Sequence, residues 1–120
     1  MKVSAPSELD LGQQSGSAPP IVATGNEVRF PEIRHRGVIF QLKESLVAPY
    51  FFDDGLFYCQ YKPLSILSFG NTLEDAVRSF QEDFAMMWDA IAKAPDKTLS
   101  PEAKQVKINM KALVGTVAAE

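Results

Sequence analysis

The side chains of this sequence with the means for chemistry are few. There is one histidine, His35, and one cysteine, Cys59. The adjacent carboxylates Asp53-Asp54 and Glu82-Asp83 are further candidates. A general base needs a positioned partner, and a zinc site needs further ligands. His35 lies in Glu32-Ile33-Arg34-His35-Arg36-Gly37, where neither is nearby. It reads as a solvated polar turn. The functional alternative is a small basic loop touching a phosphate or an acidic partner. A nucleophilic cysteine needs a base or a cationic setting to lower its pKa. Cys59 stands between Tyr58 and Gln60 in an aromatic run and reads as a packed, inert thiol. Paired carboxylates hold magnesium for phosphoryl chemistry only when acids converge from several elements. Asp53 and Asp54 are accounted for by a turn, and Glu82 and Asp83 by the wet side of a helix. The expectation is no catalytic residue, no cofactor and no metal, hence a protein that is not an enzyme.

The bulk composition narrows the class. A chain of 120 residues with 46% hydrophobic content is the size of one globular domain. Its apolar residues crowd between Val38 and Val117. The net charge of -3 argues against a nucleic-acid surface spread over the whole molecule. A single cysteine permits no intrachain disulfide, which points to a reducing compartment. No apolar run approaches the roughly 20 residues of a membrane helix. Lys2 has no apolar stretch behind it, so a secretory signal is not expected. The expected location is cytoplasmic, with no membrane association.

The elements that would position these side chains begin after a tail. Residues 1–26 are rich in Pro, Gly, Ser and Gln and are expected to be disordered, with Ile21 and Val22 as isolated apolar exceptions. Residues 27–120 are expected to form a single α+β domain. Val38, Phe40 and Leu42 alternate with Ile39, Gln41 and Lys43, as in a strand. The run Leu46 to Phe52 contains Pro49, which predicts an edge or bulged strand. Asp53-Asp54-Gly55 predicts a hairpin turn into Leu56–Tyr61, and Lys62-Pro63 breaks that strand. Ser65 to Phe69 makes a third strand of the meander. Thr72 then caps a helix, with Asp75 at the capping-box position. Leu73, Val77, Phe80, Phe84, Met87 and Ile91 form one stripe of that helix, expected to run to about Lys93. The C-terminal segment alternates at Val106, Ile108 and Met110. However, Ser100-Pro101-Glu102 is a helix start. Ala103, Val106, Met110, Leu113, Val114 and Val117 then follow a helical stripe, so a second helix is predicted. The expected fold is a small antiparallel sheet of three to four strands packed against a long helix, with that second helix C-terminal.

Such a small sheet cannot bury all of Tyr50, Phe51, Phe52, Phe57, Tyr58 and Tyr61 under one helical layer. Some exposed apolar area is expected, and that marks a protein interface. Met86 lies about 120° from the centre of the helix stripe and adds to it. Glu74, Glu82 and Asp89 form an outward acidic stripe suited to a basic partner. The expected interface residues are therefore Tyr58, Tyr61, Glu74, Glu82, Met86 and Asp89, serving a protein partner or a homo-oligomer. The competing readings are a homo-oligomeric small-ligand or nucleic-acid-binding module and a metal-dependent hydrolase.

Taken together, Asp53-Asp54-Gly55, the strand Leu56–Tyr61, Pro63, the strand to Phe69 and Gly70-Asn71-Thr72-Leu73-Glu74-Asp75-Ala76 resemble the HicB-like antitoxin fold in order and spacing. The resemblance covers about Val38 to Lys93. Asn71 stands where the family commonly has aspartate. The resemblance implies a catalytically silent relative of an RNase H-like fold that binds and blocks a small RNA-cleaving toxin. Family members usually carry a C-terminal DNA-binding domain. Only one predicted helix follows here, so DNA binding is not expected.

Overall fold

The computed structural model describes residues 9–10 and 21–119. Two hairpins build the centre of its sheet. β3 (Glu27–His35) turns through Arg36 and Gly37, at φ 51° and 79°, into β4 (Val38–Asp53). β4 turns through Asp54 and Gly55, at φ 51° and 83°, into β5 (Leu56–Tyr61). Left-handed dihedrals at both central positions give the turn whose twist matches that of the flanking strands. The Asp-Gly hairpin is the one predicted. The stretch around His35 differs from expectation: it is strand up to His35, and only Arg36-Gly37 makes the turn. Val28, Phe30 and Ile33 drive this, because all three are fully buried at 0% exposure.

β5 leads through a 3-10 turn, Lys62–Leu64, into β6 (Ile66–Gly70). The strand order is β1-β2-β3-β4-β5-β6, where β1 is Leu9–Asp10 and β2 is Val22–Ala23. A seventh strand, β7 (Val114–Ala119), pairs with the first half of β4. All pairings are antiparallel. The architecture is α+β, as expected, with more strands than the three to four anticipated.

Three corrections to the sequence reading account for the difference. The first concerns residues 21–26. Val22 and Ala23 pair with Arg29 and Val28, and Ile21 and Ala23 enter the core at 8% and 1% exposure. Two apolar side chains with a ready strand edge offset the ordering entropy that composition alone argues against. The rest of the expected disordered tail lies outside the described residues, apart from the Leu9–Asp10 backbone. The second concerns the Pro49 strand, which is no edge. Residues 38–53 form one continuous strand with β3, β5 and β7 as neighbours. Pro49 is the last rung opposite β3, at Glu27, and pairing with β5 starts one residue later at Tyr50↔Cys59. The residue without an N–H thus sits where the strand changes partners. Pro31 on β3 falls instead at an irregularity of the β3–β4 ladder. It stands between the Phe30↔Leu46 and Glu32↔Gln41 rungs, opposite residues 42–45, and so bulges β4.

The third concerns the C-terminus. α2 (Pro101–Leu113) begins as predicted, with Ser100 Oγ accepting the Ala103 N–H at 3.1 Å, but it stops at Leu113. Val114 and Val117 lie on β7 instead. Gly115 is a poor helix former and Val and Thr favour strands, while the free edge of residues 38–42 offers a full ladder. Gly115 is itself a bulge, lying between the Gln41↔Thr116 and Leu42↔Val114 rungs.

α1 (Leu73–Met87) covers one face of the sheet. Asp75 N–H donates to Thr72 Oγ1 at 3.0 Å, which caps it as predicted. The Asp75 carboxylate pairs with Arg78 at 2.7 Å. Val77, Phe80 and Phe84 are buried, with Phe80 stacked on Phe30 (4.8 Å) and Phe84 edge-on to Phe40 (5.3 Å). Each such side chain contributes about 1.5–3 kcal/mol by leaving water. The helix ends in one π turn, Trp88–Ala92, closed by Lys93 N–H to Trp88 C=O at 3.1 Å.

Candidate interaction surface

The parity of the β4–β5–β6 meander separates two faces. Tyr50, Cys59 and Ser68 share one row, and Cys59 and Ser68 are buried beneath α1. The next row is Phe51, Tyr58 and Phe69, which must then point away from α1. Phe51 stacks on Tyr58 at 5.0 Å and 13°, and Tyr58 meets Phe69 at 6.1 Å. The row is wet: Phe51 is 43% exposed, Phe69 57%, and Leu67, on the same side of β6, 51%. Phe52, at the hairpin tip against Phe57, is exposed as well.

β6 is the last strand of its sheet among the described residues. Its sequence, Ile-Leu-Ser-Phe-Gly, holds no charge and no proline within the ladder. Between this edge and α1 runs a shallow groove of about 200 Å³, lined by Ile66, Leu67, Asp83 and Met86 among others. Asp83 is fixed there by the Ser68 hydroxyl, which donates to it at 2.6 Å. Met86 is 59% exposed.

The six residues expected at an interface do not form one patch. Tyr58 is the middle of the aromatic row. Met86 lines the groove, with Glu82 one helical turn before it. Tyr61 belongs to the opposite, core-facing row, opposite Ile66. Its hydroxyl pKa is raised by desolvation and by the nearby Glu44. Glu74 is exposed in the first turn of α1. Asp89 is exposed in the π turn, ion-paired with Lys93 at 3.0 Å. Glu74 and Asp89 are therefore about 22 Å apart along the helix axis. Leu67 and Phe69 were not anticipated. Their alternation with Ile66 and Ser68 was visible, but which parity faces α1 depends on register with Cys59.

Cys59 is fully buried, and desolvation pushes its thiol up to about 12, which leaves no thiolate nucleophile near neutral pH. Asp53 and Asp54 are exposed at a hairpin tip. Glu32, buried at 6%, is held by Arg34 and by Gln41 Nε2 at 3.3 Å. Among the described residues no group of three or more His, Cys, Asp or Glu is placed to hold a metal ion. None of their helices is long and apolar enough to cross a membrane. No protein-family model, curated protein or solved structure matches the chain.

Proposed function

We propose that this protein is a non-catalytic interaction module that receives an extended segment of a partner protein along β6. The observation that carries this reading is the uncharged β6 edge, unpaired among the described residues and bordered by exposed Leu67 and Phe69 on one side and Met86 on the other. Edge strands left free are ordinarily guarded by Lys, Pro or bulges, and this one has none inside it. A strand added there gains a main-chain ladder. Its alternate side chains would fall on the aromatic row and in the Met86 groove. Asp53 and Asp54 at the hairpin tip, and Glu82 on α1, favour a basic partner and salt-sensitive association. That charge agrees with the small basic RNA-cleaving toxin that the HicB-like resemblance implies, which makes such a toxin the specific candidate.

The test is co-expression with a small basic protein encoded beside it, followed by pull-down and light scattering. Leu67→Lys places a charge on the edge without touching the core, and it should abolish capture. Capture that survives Leu67→Lys and Phe69→Lys would refute the β6 assignment. Turnover of RNA or phosphoesters with magnesium, manganese or zinc, lost in Asp53→Asn or Glu82→Gln, would refute the non-enzyme reading.

A further inference from the structure

A second concavity lies away from β6, where the end of α1 overhangs the β3–β4 turn and β7. It encloses about 480 Å³, within the range of small-molecule sites. Its floor is set by register: Val38 stands opposite Ala119 and Phe40 opposite Val117, so their side chains share the face beneath α1. Its wall is Trp88, edge-on to Phe40 at 5.7 Å. α1 runs beside β3 in the same sense, from Phe80 over Phe30 to Trp88 over Phe40, the register partner of Ile33. The π turn and the Arg36 turn therefore meet at one end of the cleft, and the charges collect there. Arg36 and Lys93 line that end beside the His35 ring, and among the described residues the acid there is Asp89, ion-paired with Lys93. Arg36 is exposed and has no carboxylate partner among the described residues. In a chain of net charge -3, this is an apolar slot with a cationic rim.

We propose that this cleft binds a small amphiphilic carboxylate, its apolar body on Val38, Phe40 and Val117 against Trp88 and its head at Arg36. Apart from Met86, which borders both, this cleft shares no lining residue with the groove beside β6, and its binding is tested separately from the proposed partner binding. Trp88 is the only tryptophan, so its emission reads the cleft directly. The probe is 4-cyclohexylbutyrate, with 4-cyclohexylbutanol as its uncharged counterpart, titrated into the full chain. The carboxylate should shift Trp88 emission saturably, and the alcohol should bind about tenfold more weakly or worse. Arg36→Asn should lose affinity to the same degree. Asn-Gly is the preferred residue pair for this turn, so that variant keeps the fold. Val117→Lys should block the floor, whereas Phe69→Lys should leave binding unchanged. Equal binding of acid and alcohol, undiminished binding to Arg36→Asn, or loss in Phe69→Lys in place of Val117→Lys would each overturn the proposal. So would binding that emerges only after residues 1–20 are deleted, since the chain would then occupy its own cleft.

Discussion

Phe80 and Phe84 hold α1 to the sheet through rings on three elements, and both are fully buried. Phe80→Ala and Phe84→Ala should each cost about 3–5 kcal/mol in urea unfolding. Arg78→Ala, on the wet side and paired among the described residues with Asp75 one turn away, should change stability by less than about 0.5 kcal/mol. Gly70, the last residue of β6, is a tight constraint. A Cβ there would lie 2.6 Å from the Ala76 backbone nitrogen and 2.6 Å from Asp75 Cβ. Gly70→Ala must push the start of α1 off β6, at about 1–3 kcal/mol, and an unchanged unfolding midpoint would contradict that close approach. Cys59 gives a pH signature. Its folded pKa of about 12 lies above the ordinary value of 9.0. Below pH 9 the thiol is protonated in both states and its full contribution is present. Between pH 9 and 12 the unfolded chain ionises first, so stability falls as pH rises. Cys59→Ala should flatten part of that slope. Native protein should resist a thiol reagent at pH 8, and rapid labelling would show the thiol to be accessible.

The long helix, its cap, the Asp-Gly hairpin and the Ser100-Pro101 start of α2 were legible because each is encoded within a few neighbouring residues. β2, β3 and β7 were not, because each is short or irregular until a neighbouring strand supplies its ladder. The N-terminal strand makes this measurable. Ile21 and Ala23 are in the core, Tyr50 Oη donates to the Thr24 carbonyl at 2.8 Å, and Tyr50 N–H donates to the Asn26 carbonyl at 3.0 Å. A chain beginning at Glu27 should be less stable than one beginning at Ile21 by about 2–5 kcal/mol, the scale of emptying a buried aliphatic site. Equal stability of the two would return residues 21–26 to the tail. α2 is held by Val106 and Met110 in the core and by polar ties to the chain before it. Lys107 reaches the Ala94 carbonyl and Asp96, whose carboxyl pKa is lowered first by that hydrogen bond and then by the charge of Lys107.

At the scale of the molecule, β4 joins everything. β3 pairs along it from Val38 to Pro49, β7 joins its first residues near Trp88, and its last residues carry β5 and the aromatic row. A single strand threading both ends predicts one cooperative unfolding unit. Trp88 fluorescence reports one end, and near-UV ellipticity of the Phe51–Tyr58–Phe69 row reports the other. The two should give coincident denaturation curves, and separated midpoints would divide the molecule into two units.

Periodicity, caps and turn dihedrals act over a few residues, so the amino-acid order alone specified α1, the meander, and a core built on Phe80 and Phe84. It also limits the chain to one histidine and one cysteine. Face and partner are long-range choices, and a strand turns each side chain to the opposite face with every one-residue change of register. Only the folded chain could therefore make Leu67 and Phe69 outward and Tyr61 inward. Only there does β4 become central despite Pro49, and Val114–Ala119 a strand beside it. The same contacts bring His35, Arg36 and Lys93 to one cleft although 57 residues separate Arg36 from Lys93 in the chain, 93 minus 36.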